Sequence, residues 1–193
     1  MIQMATDQED FNGDTTLYDI LAEVGEDPDM VSSFPMWEDM IDTLKKYPAA
    51  SKHHSAYTGG LYSHTVFVMY YTLKIGKTLF EGDDLRRVVW LAFVHDWGKI
   101  RNYELANTGR WRYVRGEVDH TYHILNMSTS PLPDWAYRAL VRHHGGWSKD
   151  NDGGQEPYTV VLHAADMLAC ILERSVNNLK KFVFWSKKRR TSS

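Results

Sequence analysis

Seven of the chain's nine histidines fall in clusters: His53-His54, His95 next to Asp96, His120 with His123, and His143-His144. Of the other two, His64 stands near the start of a long apolar stretch, and His163 opens the run His163-Ala164-Ala165-Asp166. Imidazole and carboxylate together suit Mn, Fe, Co, Ni or Zn, whereas oxygen ligands alone would point to Mg or Ca. His64, His95, Asp96 and Asp166 make up the ligand set that stands out. Closed structural zinc sites favour tetrahedral groups of Cys and His, and a chain with a single cysteine and several His and Asp candidates does not resemble one.

Consecutive residues on an α-helix point about 100° apart and do not easily share one centre. His95 and Asp96 are therefore expected at a helix end, where the backbone turns enough for both to reach a metal, with Gly98 as the break. The pair follows the apolar run from Val88 to Val94. Ionisable groups embedded behind such a run are costly to bury unless paired or coordinated. A core histidine bonded to its neighbouring carboxylate is the alternative.

Helical periodicity accounts for the elements that must carry these residues. Thr15 or Thr16 caps a short helix through Leu17, Ile20, Leu21 and Val24, stopped by Gly25; Phe34 to Tyr47 repeats the pattern through Met36, Trp37, Met40, Ile41 and Leu44. Leu61 to Leu79 reads as a largely buried helix. A further helix runs through Arg86 to about His95, with Asp83 and Asp84 at its N-terminus complementing the dipole. Between Lys99 and Gly116, Asn107-Thr108-Gly109 followed by Trp111, Tyr113 and Val114 predicts a small hairpin or loop. Helices resume at about Glu117 to Met127, Pro133 to His144 and Pro157 to Leu179, with a polar loop from Gly145 to Gly154. Met1 to Asp14 reads as a mobile arm, and the basic residues after Leu179 as a frayed, solvated terminus. The fold class is all-α.

At 193 residues, 43% of them apolar, the chain is long enough for one domain with a buried site. The net charge of -3 hides an asymmetry: Met1 to Leu44 carries twelve acidic and no basic residues, leaving 22 Lys and Arg against 13 Asp and Glu in the remainder. A basic body suits an anionic substrate, because its field raises local anion concentration. One cysteine, no signal-like opening and no sufficiently long apolar window favour a cytoplasmic protein that does not enter a membrane.

His64, then His95-Asp96-Trp97-Gly98-Lys99, then Asp166 resemble the H…HD…D pattern of HD-domain phosphohydrolases, over about Tyr47 to Glu173. The similarity is nearest to the HD module of YhaM-type bacterial 3′-to-5′ exoribonucleases. It is carried by Ala50-Ser51-Lys52-His53-His54, Gly59 to Thr65, Tyr103-Glu104, His143-His144-Gly145 and Leu162 to Ala169. The resemblance implies an HD-type helical bundle over 45–179, between an acidic, partly helical extension (1–44) and a basic tail (180–193). It further implies one divalent metal on His64, His95, Asp96 and Asp166. In related two-metal enzymes a His on the next helix and one from a His-His pair are added, here His120 (or His123) and His143 or His144, with Asp96 bridging. Such exoribonucleases place an OB-fold ahead of the module; here the preceding segment is acidic and helical.

The implied chemistry is phosphoester or phosphoanhydride hydrolysis by a metal-activated water. Mn, Fe, Co or Ni is the expected ion, with Mg or Zn as alternatives. Lys99 would neutralise charge on the phosphoryl group, and His53 or His54 would donate to a second phosphate or the leaving oxygen. Trp111, Tyr113 and Trp147 are candidates for stacking on a base. The expected substrate is a small anionic phosphate compound, a nucleotide or short oligonucleotide. A compact exonuclease on single strands and a non-catalytic nucleotide-binding module are the competing readings. Oligomeric state is left open, a homodimer included.

Overall fold

The computed structural model describes residues 16–50, 55–114, 119–144 and 156–190, with side chains through residue 174. The expectations for the arm over 1–14, for Thr15, His53, His54 and Trp147, for the loop over 145–154, and for the side chains of the basic tail lie outside the described residues.

Helix starts follow the capping chemistry of the sequence. In α1 (Leu17–Val24) the Thr16 hydroxyl accepts from the Asp19 N–H while the Asp19 carboxylate accepts from the Thr16 N–H, a reciprocal capping box closed at the far end by Gly25. A short α2 (Pro28–Ser33) follows, with the Asp27 carboxylate accepting from the Met30 N–H at 3.0 Å and Pro28 in the first turn. At six residues it is too brief to show a period, and periodicity alone does not reveal it. The helix predicted over Phe34 to Tyr47 is confined to α3 (Trp37–Leu44).

Then come α4 (Gly60–Gly76), α5 (Gly82–Val94), the one-turn α6 (Lys99–Asn102), α7 (His120–Met127), α8 (Asp134–Arg142) and α9 (Pro157–Arg190). The predicted hairpin is present: β1 (Tyr103–Leu105) pairs antiparallel with β2 (Trp111–Tyr113), Tyr103 opposite Tyr113, and Gly109 takes the positive φ of +74° that the turn requires. Two expectations are corrected. Helix α9 does not stop near Leu179 but continues through the basic segment to Arg190. Nor does Gly98 break α5, which ends at Val94; its φ of -60° and ψ of -20° are ordinary helical values.

The core is built around α4, α5 and α9, which pack against one another. Every residue from Val88 to Val94 is buried. The N-terminal helices belong to the same core through Leu17, Ile20, Met30, Phe34, Trp37 and Ile41. Trp37 packs edge-on against Trp90 and Phe93, Phe34 against Trp97, and the Trp90 indole donates to the Gly25 carbonyl at 3.0 Å. Among the described residues no helix is long and apolar enough to cross a membrane.

Candidate metal centre

The His95-Asp96 pair sits where α5 gives way to a tighter turn. Trp97 N–H donates to Val94 O, Lys99 to Asp96 O, Ile100 to Trp97 O and Arg101 to Gly98 O, all at three-residue spacing. Trp97, 1% exposed, drives its ring into Phe34 and Phe93 and pins this turn to the core. With the backbone so held, His95 and Asp96 converge: His95 Nε2 lies 3.3 Å from Asp96 Oδ2.

Two helices complete the first half of the site. His64, one turn into α4, places Nε2 3.4 Å from Asp96 Oδ2 and 3.1 Å from Oδ1 of Asp166 on α9. The second half faces the other Asp96 oxygen. His120, the first residue of α7, brings Nε2 to 3.3 Å from Asp96 Oδ1. Beside it stand His143 and His144 at the end of α8, with ring centroids 5.8 and 4.8 Å from that of His120. Ligand atoms of His64, His95 and Asp96 come within 4.8 Å of one another, and so do those of Asp96, His120, His143 and His144. Asp96 is common to both groups and turns a different oxygen to each.

The donor set fits divalent transition metals. The His95 Nδ1–H donates to Ala92 O at 2.7 Å and the His143 Nδ1–H to Leu140 O at 2.6 Å; a carbonyl can only accept, so in the neutral rings the lone pair is on Nε2. Among the described residues those Nε2 atoms, and that of His120, are buried without a hydrogen-bond partner. Buried polar atoms are normally satisfied, and a coordinated cation would satisfy all three.

Electrostatics agree. Burial and the neighbouring imidazoles push His143 well below the ordinary histidine range, and burial followed by His120 brings His144 down to about 4. Both are neutral and available as ligands near pH 7. Burial opposes charge on Asp96, but Lys99, His95, His120 and His64 outweigh it and hold the carboxyl well below its usual range. Burial likewise opposes charge on His64, yet Asp166, Asp96 and Glu173 raise its affinity for a proton.

Of the other expected site residues, Lys99 sets Nζ 2.6 Å from Asp96 Oδ2. His123 is turned to a separate cavity of about 410 Å³ with Arg101, Asn126 and Met127. Trp111 packs on Tyr47 and donates from Nε1 to the Thr58 hydroxyl, while Tyr113 is half exposed against Tyr103. Sequence reasoning missed Cys170 and Glu173. The Cys170 thiol, pushed up to about 12 chiefly by burial, donates to Asp166 at 3.6 Å; the Glu173 carboxylate lies 3.4 Å from His64 Nδ1. A Glu directly after the apolar stretch Met167 to Leu172, seven residues beyond a ligand candidate, was the available signal.

No curated protein and no solved structure matches the chain. The family model for the HD domain matches residues 61–171. That span runs from just before His64 to just beyond Cys170 and takes in both halves of the centre, and the chain belongs to the HD-domain family, whose members are generally metal-dependent phosphohydrolases.

Proposed function

We propose that this protein hydrolyses a phosphoester or phosphoanhydride bond in a nucleotide or short oligonucleotide, at a centre of one or two divalent transition-metal ions. His64, His95, Asp96 and Asp166 would hold one ion; Asp96, His120 and His143 or His144 the other. The observation that carries this reading is Asp96, with Oδ2 toward His64 and His95 and Oδ1 toward His120. Such cations, when bound, make water a nucleophile near neutral pH and neutralise phosphoryl oxygens.

The chain's own residues do the rest. The carbonyls of Ala92 and Leu140 orient His95 and His143. Lys99, whose ammonium is kept charged against the cost of burial by Asp96 and Asp166, supplies a fixed positive charge for the transferred group. Tyr113, half exposed on the hairpin that follows Lys99, offers a ring to a base. The basic excess of residues 45–193 favours anion capture.

A second reading, a compact 3′-to-5′ exonuclease related to the YhaM type, is favoured by the continuation of α9 through Lys180, Lys181, Lys187, Lys188, Arg189 and Arg190. A basic helix can track a phosphate backbone.

The test is a nucleotide panel with phosphate and pyrophosphate readouts in Mn, Mg, Co and Ni, alongside a long single strand. Asp96→Ala should lose metal and drop turnover by at least about 1000-fold, since it removes a ligand of both ions. Full metal content and full activity in that variant would sink the proposal. Faster degradation of the strand than of any mononucleotide, lost when residues after 179 are deleted, would favour the exonuclease.

A further inference from the structure

We propose that Glu173 is a positioning residue of the centre: its carboxylate accepts the Nδ1 proton of His64 and so holds the Nε2 lone pair of that ring toward the metal. The inference rests on the metal reading of the site given above.

Three histidines of the centre present Nδ1 to an oxygen, but not in the same way. His95 and His143 stand at helix ends and donate to the carbonyl three residues back in their own helices, Ala92 and Leu140. His64 lies inside α4, where local carbonyls are engaged in the helix ladder. Its Nδ1 instead faces across to α9, where Glu173 Oε1 lies 3.4 Å away. Glu173 falls seven residues after Asp166, two helical turns on, and so shares its face of α9. One helix thus brings an oxygen to each nitrogen of His64: Asp166 Oδ1 to Nε2 and Glu173 Oε1 to Nδ1.

Glu173 is 5% exposed, and His64 Nδ1, 3.4 Å from Oε1 but not aligned as a full hydrogen bond, is a polar group that faces it among the described residues. An ionised carboxylate is expensive to bury in this way unless it is compensated. Asp96, Asp166 and Glu173 place three carboxylates within 3.4 Å of the His64 nitrogens, a concentration of negative charge that a divalent cation would help to balance. A carboxylate behind a ligating imidazole fixes the ring's tautomer and orientation and makes it a stronger donor.

Competition with a coloured chelator, titrating Mn or Co into wild type, Glu173→Gln and Glu173→Leu, tests this, with circular dichroism to verify folding. Glu173→Leu should weaken the ion held by His64 roughly 10–100-fold and leave any ion on His120, His143 and His144 in place. Glu173→Gln, whose amide oxygen still accepts from Nδ1–H, should recover part of that loss. A purely structural glutamate would affect unfolding without this graded, one-ion effect. Long-range proton–nitrogen correlation on the zinc-loaded wild type gives a readout that needs no variant: His64 should carry its proton on Nδ1 and be metal-bound through Nε2. The reverse assignment, or unchanged affinity in the folded variants, overturns the role of Glu173 alone. A wild type that binds no metal overturns the reading of the centre and this inference with it.

Discussion

A β-carbon on Gly98 would lie 1.8 Å from the carbonyl oxygen of His120 and 2.6 Å from its carbonyl carbon. The turn that carries His95 and Asp96 therefore touches, backbone to backbone, the residue that presents the third histidine to Asp96. Because φ and ψ at Gly98 are open to any residue, the need for glycine is steric. Gly98→Ala should push α7 away and draw His120 Nε2 off Asp96 Oδ1. Misplacement on the 1 Å scale costs about 100-fold in rate, so turnover should fall by that order while the metal on His64, His95 and Asp166 is kept. Metal analysis and steady-state rates on the purified variant check it; wild-type values for both would show that the contact is dispensable.

Much of this candidate centre was legible because its candidate ligands are chemically rare. His64, His95, Asp96 and Asp166 stand out as ionisable groups in apolar helices, and burial of charge demands a reason wherever it occurs. The helices that hold them were legible for the same cause, a buried face repeating at helical spacing. What escaped has a different physical basis. Gly98 was read as a helix breaker because sequence reports conformational freedom, not the approach of a distant carbonyl. Glu173 was not singled out, since only the packing of α9 on α4 shows which way it faces. His120 and His123 lie on neighbouring positions of one helix face, and only tertiary structure sets one against Asp96 and the other in a separate cavity.

The acidic N-terminal segment should prove part of the catalytic domain's stability. Phe34 is 1% exposed and packs edge-to-face on Trp97 at 5.2 Å, behind the turn that carries His95 and Asp96. Phe34→Ala removes that support and leaves a cavity, which in buried aromatics costs about 3–5 kcal/mol. Denaturant unfolding should show the loss, and chelator titration should show weaker metal binding, because Trp97 is freed beside His95 and Asp96. A stability change below about 1 kcal/mol, the range of surface substitutions, would mean that the segment merely lies against the domain.

Metal-free protein should lose stability as the pH falls from about 6.5 toward 4. His144, held down to about 4 by burial and then by His120, and His143, held well below its ordinary value chiefly by burial, bind protons less readily folded than unfolded. Their contribution is present above the ordinary histidine value and drains away as the unfolded state takes up protons below it. His64 does not offset this. Its folded value is raised, so its contribution is fully present below the ordinary value and is lost only as pH rises through the folded one. Asp96 and Asp166 are depressed carboxylates whose contributions vanish only below the carboxylate range. Melting temperatures recorded between pH 7.5 and 4.5 should fall for wild type and fall less for His144→Gln. Parallel curves would remove His144 from the account.

Two parts proposed for Lys99 are separated by its removal. Its ammonium sits 2.6 Å from Asp96 Oδ2, the oxygen shared with His64 and His95, and so would compete with a cation for that carboxylate. With substrate it is placed to neutralise charge growing on the phosphoryl group. Lys99→Ala should therefore keep or tighten metal binding, since a competing charge is gone, while the turnover rate falls roughly 10- to 1000-fold. A lysine that only balanced the charge of the metal-free site would show the first effect without the second. Chelator titration and steady-state kinetics on one preparation of the variant decide between them. An unchanged kcat and KM would confine Lys99 to the metal-free state, and a loss of metal in step with activity would make it a support for Asp96 rather than a partner of the substrate.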